Sequence, residues 1–448
     1  MTQNGEPHHY EPRMFPPGFL WGTATSAYQV EGGNVHADWV SFEEAAGHIA
    51  DQTKAGRGVE HFERYKQDFE IAQGRLHNNA YRLSVEWSRL EPTIDTWDEA
   101  AFAHYREMLK DLKKRNMTVM LTLHHFTNPQ WLSERGGWET HFAVVRFTRF
   151  VEKVCEELGA WVDLWVTINE PLVYAMQGYL VAEWPPAKRS YTKLVRVLWS
   201  MTRAHKKAYR LIHRAQKRRA TAAQVGIAHN VSSFHVYQKH SFLDQITVAV
   251  LDRLTNHIFY TLSGIRTHDF LGLNYYFHFR LKSVLKFLRR SMLPSDTQEH
   301  KRVDFESSDI GWELFPHGIF DVCVDIGLHY KKPIYITENG LATDNDDKRL
   351  RALIGYLLQL HHAIQAGVDV RGYFHWSLLD NFEWAKGYAP KFGLVAVDRR
   401  TMERTVRPSG DIYGMIAKGN AIEHDFLRFL GHGTRDIVNA WKKDHGMT

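Results

Sequence analysis

Two short stretches of the chain end on an acid where burial would be expected. "LWVTINEP" (164–171) runs alternating, mostly apolar residues into Asn169, Glu170 and Pro171. "IYITENG" (334–340) repeats the arrangement with Glu338. A single glutamate at a strand end is ordinarily an ion-pair partner. Two of them, each at the tip of an apolar segment, suit hydrolysis of a glycosidic bond. One carboxylic acid protonates the leaving oxygen, and the other carboxylate attacks the anomeric carbon or activates water. A separation of about 5–5.5 Å would mean retention of configuration and roughly 6.5–9.5 Å inversion, a choice that spacing along the chain leaves open.

Such a pair needs a scaffold that brings distant strand ends together. Short apolar segments at 19–23, 80–85, 118–124, 164–168, 224–229, 270–273, 334–337 and 372–376 read as eight strands. Stretches with apolar residues at three- and four-residue steps lie between them, at 61–73, 98–116, 141–159 and 346–367. Alternation of this kind implies parallel strands joined by crossover helices. Eight such units predict an α/β fold of the (β/α)₈ TIM-barrel type, one catalytic domain over residues 1–448. A doubly wound open sheet is the alternative, and the lack of a GxGxxG after the first strand argues against its dinucleotide-binding form.

Polar residues gather just past the predicted strand ends. They are Gln29 and Glu31, Arg82 and Glu86, His124 and His125, Asn169 and Glu170, and His229 and Asn230. Asn274 and Tyr276, Glu338 and Asn339, and finally Trp376, Glu383 and Trp384 complete the set. In a closed barrel all eight C-terminal ends converge on one face, where barrel enzymes place their sites.

Composition fits a globular chain with a large core: 44% hydrophobic and 24% charged over 448 residues. The 14 Trp, 19 Tyr and 25 Phe fit a sugar-binding cleft or an aromatic core equally well. A net charge of +5 is mild for this length and gives no reason to expect a nucleic acid partner. "HRAQKRRA" (213–220) reads as the solvated end of a helix beginning near Tyr191. "KSVLKFLRR" (282–290) reads as a surface helix over the barrel, with a membrane or partner surface as the alternative. Cys155 and Cys323 show no metal-like spacing and read as buried thiols in a reducing compartment. The N-terminus lacks an apolar signal region and no apolar run is long enough to span a bilayer, so a cytoplasmic location without membrane contact is expected. Neither HExxH nor another metal signature occurs, and no metal or cofactor is expected to be required for catalysis.

Seven motifs in order carry a resemblance to glycoside hydrolase family 1, the β-glucosidase and β-galactosidase family. They are "FPPGFLWGTATSAYQVEGG", "AYRLSVEWSRLEP", "TLHHFTNPQW", "WVTINEP", "DFLGLNYY", "YITENG" and "GYFHWSLLDNFEWAKGY", spread from Phe15 to Tyr388. The resemblance implies a nucleophile at Glu338, a general acid and then base at Glu170, and retention through a covalent glycosyl-enzyme. It implies that Arg82 holds the nucleophile as an anion and that Tyr276 hydrogen-bonds it. Asn169 resembles the residue that contacts the sugar 2-hydroxyl, and Asn274 falls in the same strand-end set. Gln29, His125 and Glu383 resemble ligands of the sugar hydroxyls, Trp384 adds an indole donor, and Trp376 resembles the platform beneath the ring. Trp312, in "GWELFP", resembles a segment lining the entrance, with Tyr174 and Phe315 assisting.

The expected function is therefore hydrolysis of small-molecule glycosides with a terminal β-D-glucose, with side activity on β-galactosides and β-fucosides. A 6-phospho-β-glycosidase is one alternative, disfavoured because an acid at Glu383 would repel a phosphate. A non-catalytic sugar-binding barrel is the other, disfavoured by the intact pair of glutamates. One departure stands out. The stretch from 231 to 268 is shorter than in the family, so the outer layer near Phe259 and Tyr260 is expected to be incomplete, mobile and open to an apolar ligand within 235–268.

Overall fold

The computed structural model describes residues 11–222, 224–236, 241–281 and 306–430. The basic stretch 282–290 lies outside them. Eight strands form a closed parallel barrel in sequence order: β1 Leu20–Ala24, β2 Ala80–Ser84, β3 Thr118–His124, β4 Leu164–Asn169, β5 Gln224–Val236, β6 Leu271–Leu281, β7 Ile334–Asn339 and β8 Val370–Trp376. β8 pairs back onto β1, Leu20 opposite Gly372 and Ala24 opposite Trp376, which closes the ring. The predicted eight strands are thus the barrel strands, with their N-terminal ends within two residues of the positions read from the sequence.

Helices α1 His61–Glu70, α2 Glu99–Lys114, α3 His141–Leu158, α4 Tyr191–Arg218, α5 Phe242–Asp252, α6 His317–Tyr330, α7 Asp346–Gln365 and α8 Pro408–Gly419 stand outside the barrel. Local chemistry starts and stops them. The side chains of Asp98, Ser190, Ser241 and Asn345 each accept a hydrogen bond from a first-turn amide, capping α2, α4, α5 and α7. α2 and α4 carry Lys113, Lys114, Lys217 and Arg218 in their last turns, where cations favour the helix dipole. The basic end of α4 is partly anchored, because Gln216 is buried and donates to the Gly159 carbonyl at 2.8 Å.

Two apolar clusters hold the layers together. The larger lies between barrel and helices, with Phe102, Leu112, Phe147, Trp165 and Ile326 fully buried. The smaller fills the barrel itself, with Ala24, Ala80, Met120, Val166, Ala228, Phe270 and Phe374. Small residues sit where strands crowd one another: a Cβ on Gly22 would lie 2.4 Å from the Phe374 ring. Cys155 and Cys323 are free and buried. No helix among the described residues is long and apolar enough to cross a membrane.

Two expectations are corrected here. β5 and β6 were expected to end at 229 and 273, but they continue to Val236 and Leu281 as a paired ribbon standing beyond the barrel. The polar residues His229, Asn230 and Asn274 look like strand ends, whereas the β-branched and aromatic residues after them keep the ladder going. Phe259 and Tyr260 were expected under an incomplete layer, yet both are buried, while the exposed apolar surface expected of this stretch is present on α5. Tyr260 packs its ring 5.3 Å from those of His229, His268 and Tyr330, so the shortened segment closes over the barrel with its own aromatic plug. The part that does expose carbon is the outer face of α5, where Phe242 and Leu243 are 73% and 66% exposed.

Candidate active site

Glu170 sits at a sharp turn. β4 ends at Asn169, Glu170 adopts a left-handed backbone (φ 42°), and Pro171 begins a short helix, Pro171–Met176. Pro at the first helical position has no amide to lose and a φ suited to the helix. The Glu170 amide donates to the Ala228 carbonyl at 2.7 Å, which pins the turn to β5. Glu338 lies near the end of β7. Gly340 is dictated by its neighbour, since a Cβ there would stand 1.9 Å from the Trp376 carbonyl oxygen.

The two glutamates have different partners. Arg82, fully buried on β2, donates from Nη1 to Glu338 Oε1 at 2.6 Å. The Tyr276 hydroxyl donates to Glu338 Oε2 at 2.9 Å. Among the described residues Glu170 has no cation in hydrogen-bond reach; Asn274 and Asn230 donate to its Oε1 at 2.8 and 3.2 Å. Burial first and the Glu338 charge second push the Glu170 carboxyl up to about 8. Burial also raises Glu338, but Arg82 and Tyr276 pull it back, so Glu338 is the member that keeps the charge. Burial and the Glu338 charge hold the Tyr276 phenol protonated, as a donor must be.

A cavity of about 240 Å³ opens onto the pair. Of the residues expected to meet substrate, Glu170, Glu338, Tyr276, Gln29, His125, Trp312, Trp376, Glu383 and Trp384 line it. Three expected residues stand behind that wall. Arg82 supports Glu338, and its Nη2 donates to Asn169 Oδ1 at 2.6 Å. Asn169 Nδ2 lies 3.3 Å from His125 Nε2. Asn274 joins both strands, accepting from Thr337 at 2.6 Å while donating to Glu170.

On one side the cavity presents Gln29, which donates to Glu383 Oε2 at 3.4 Å, beside the Trp376 indole, which also hydrogen-bonds Glu383. Burial, then the charges of Glu338 and Glu170, push Glu383 up to about 8. Burial keeps His125 neutral, and its Nδ1 has no partner among the described residues. Its ring lies nearly parallel to those of Trp376 and Trp384, at 6.0 and 6.2 Å.

Several strand-end residues serve the frame instead. Glu31 accepts from Tyr105 at 2.8 Å and pairs with Arg89 at 3.3 Å, and Glu86 accepts from Thr127 at 2.8 Å. Tyr174 is buried against Asn128, and Phe315 stacks on His278 at 3.7 Å, so neither lines the cavity as expected. Sequence reasoning missed the apolar lining: Leu172, Val173, Met176, Phe234, Phe277 and Phe279. The signal was present for the last two, in the alternation of "NYYFHFRL" beyond the predicted strand end.

Among the described residues one group of His, Cys, Asp and Glu side chains is close enough to hold a metal: Asp252, His257 and Asp325. None of the three lines the cavity, and a salt link of His257 to Asp325 at 2.8 Å accounts for their proximity.

A closed eight-strand barrel with a buried pair of acids at the C-terminal ends of β4 and β7 has the form of a barrel glycosidase. The chain belongs to glycosyl hydrolase family 1, whose model matches residues 11–262 and 238–422. The two matches overlap over 238–262, inside the shortened segment. β-Glucosidase A of Thermotoga maritima is 30% identical over 92% of this chain and 99% of its own. A chloroplastic galactolipid galactosyltransferase of Arabidopsis thaliana is 34% identical over 76% of this chain and 55% of its own. The solved β-glycosidase of Pyrococcus horikoshii superposes with a TM-score of 0.83, at 36% identity, covering 94% of this chain and 99% of that one. The activity class is that of a β-glycosidase acting on O-glycosyl bonds.

Proposed function

We propose that this enzyme releases terminal β-D-glucose from small glycosides by double displacement, retaining configuration. The observation that carries the reading is the unequal environment of the two glutamates: Glu338 is gripped by Arg82 and Tyr276 at 2.6 and 2.9 Å, while Glu170 is raised to about 8. In the first step a Glu338 carboxylate oxygen attacks the anomeric carbon. The bond from that carbon to the aglycone oxygen breaks, and Glu170 gives its proton to the departing oxygen. Esterified Glu338 no longer carries charge, so Glu170 loses part of what holds its pKa up. It then accepts a proton from water as that water attacks the anomeric carbon and frees Glu338.

Gln29, the unpaired His125 Nδ1, Glu383 and Trp384 offer donors and acceptors to the sugar hydroxyls, with Trp376 beneath the ring. Arg82, by holding Asn169 and Glu338 together, keeps an amide near the sugar 2-hydroxyl. No group beyond these side chains and water is called on, and residues 1–448 act as one catalytic unit. Nothing in the raised Glu383 changes the preference for unphosphorylated sugars. A neutral acid still offers a phosphate no cation, and Lys386, the cation of the cavity lining, is exposed at its rim.

The test is release of nitrophenol from p-nitrophenyl β-D-glucoside by the wild type and by Glu338→Gln. Turnover by the wild type alone is expected; equal turnover by both would refute the assignment. The 6-phosphorylated substrate run alongside should not be cleaved, and preferential cleavage of it would favour the phosphoglycosidase reading.

A further inference from the structure

Outside the residues assigned to the sugar, the cavity lining joins polar Gln177, Glu183, Asn230, Ser232, Thr255 and Lys386 to a continuous run of apolar side chains. An aromatic track starts at Tyr276, the residue bonded to Glu338, and runs outward along β6. Tyr276 meets Trp312 at 5.6 Å, Trp312 meets Phe277 at 4.6 Å, Phe277 stacks on Phe279 at 6.1 Å, and Phe279 stacks on Phe234 of β5 at 5.5 Å. A register shift builds this track. Val231 pairs with Tyr275 and Ser232 with Phe277, leaving Tyr276 as the extra residue of a bulge, so that Tyr276 and Phe277 both line the cavity. Two residues further on, Phe279 falls on the same face as Phe277. Leu172, Val173 and Met176 line the same cavity from the helix after Glu170.

An apolar ridge stands on the surface of the helix that packs on the same strand. Helix α5 packs on β5, and the helical stretch that follows it reaches Thr255, which lines the cavity. This stretch is turned inside out. It buries Asp244 and Thr247 with Leu251, and exposes Phe242, Leu243, Ile246, Val250 and Leu254. The last four follow one another at three- or four-residue steps, so they form one ridge. Five of the 13 large apolar side chains exposed among the described residues lie here, and Leu254 adjoins Thr255 in the chain. Solvent gives no reason to turn polar groups in and hydrocarbon out.

We infer that the enzyme takes amphiphilic glycosides, with the hydrocarbon tail of the aglycone leaving the sugar pocket along Phe277, Phe279 and Phe234 and coming to rest on the ridge of α5. The inference rests on the glycosidase reading above and adds the aglycone class. The chemistry fits the release step: an alkoxide is a poor leaving group, and an alkyl glycoside needs the protonated Glu170 that this site maintains.

The experiment measures kcat/KM for n-alkyl β-D-glucosides from methyl to dodecyl, each below its critical micelle concentration, with p-nitrophenyl β-D-glucoside as reference. Each methylene laid on the track should raise kcat/KM by about two- to fourfold until the track is filled. Phe279→Ser and Phe234→Ser should lower the octyl-to-methyl ratio by about tenfold or more, since each removes a ring from that path. The double variant Ile246→Ser, Val250→Ser should lower the dodecyl-to-octyl ratio; both residues are exposed, and circular dichroism checks its fold. A flat alkyl series with intact nitrophenyl hydrolysis overturns the inference and leaves the glycosidase reading standing. Failure to cleave any glucoside overturns that reading instead. Unchanged chain-length ratios in the ridge variant, with a change in oligomeric state by light scattering, would show that the ridge seats a second copy and not the tail.

Discussion

Glu170 and Glu338 come from similar stretches of sequence, and their partners separate them. Arg82 is the largest influence lowering Glu338. Replacing it with Met raises the Glu338 pKa and moves the acid limb of the kcat/KM profile to higher pH; an unmoved limb would show that Arg82 does not set this charge. The opposite limb belongs to Glu170. With a pKa of about 8, the proton needed by the leaving group is present below that pH and lost above it, so activity falls as pH rises through about 8. Glu170→Gln removes the donor, which for an alkyl glucoside costs on the order of 10²–10⁴-fold. A p-nitrophenyl substrate, whose leaving group departs as a stable anion, should suffer less in its glycosylation step, as pre-steady-state release of nitrophenolate would show. The pair itself was legible in sequence, because a glutamate ending an apolar strand is conspicuous. The cause of the Glu170 shift was only half legible: the charge of Glu338 was foreseen, but burial is the larger part, and burial depends on how eight strands close.

At the scale of elements, the sequence located the starts of all eight barrel strands, because burial on both faces writes itself as a continuous apolar run. The C-terminal ends were harder. Function puts polar residues there, and a polar residue reads as a stop. At β7 this cost two residues, but at β5 and β6 it hid a ribbon of Phe234, Phe277 and Phe279. The shortened segment misled in another way. Chain length suggested missing cover, which holds for the bare face of α5, whereas over the barrel Phe259 and Tyr260 fill the space with two large rings that are 0% and 1% exposed. Phe259→Ala therefore costs about 3–5 kcal/mol, seen as a lower urea midpoint with unchanged slope. A loss under about 1 kcal/mol would indicate a loose layer in solution after all.

Across the whole molecule, the site is maintained against stability. Three buried carboxyls and Glu383 in the cavity wall are held above their ordinary values: Asp38 at about 6, Glu31 at about 7, and Glu170 and Glu383 at about 8. Unfolded, such groups titrate near 4. Between those values the native state binds more protons than the unfolded one, so stability falls as pH rises. His257, raised to about 9 by its two aspartates despite burial, acts in the same direction: its contribution is complete below its unfolded pKa of about 6.5 and is lost as pH rises through about 9. Asp68 and Asp346, both lowered, have contributed fully once pH exceeds about 5. Buried His124, His125, His205, His229, His268 and His375, all lowered by burial, act in the opposite direction below about pH 6.5, so the decline in wild-type Tm is expected from pH 7 to pH 9. Glu170→Gln, which stays neutral throughout, should flatten that decline and exceed the wild type in Tm at pH 9. A lower Tm for this variant at pH 9 would mean that the acid is not destabilising where it sits.

Double displacement requires a covalent bond between Glu338 and the sugar. Incubation with a 2-deoxy-2-fluoro-β-D-glucosyl fluoride, which slows release of the glycosyl-enzyme, followed by peptide mapping by mass spectrometry, tests it most directly. One fluoroglucosyl ester is expected, on the peptide carrying Glu338, accumulating as activity is lost. An ester on any other residue, or hydrolysis with inversion and no ester at all, would contradict it.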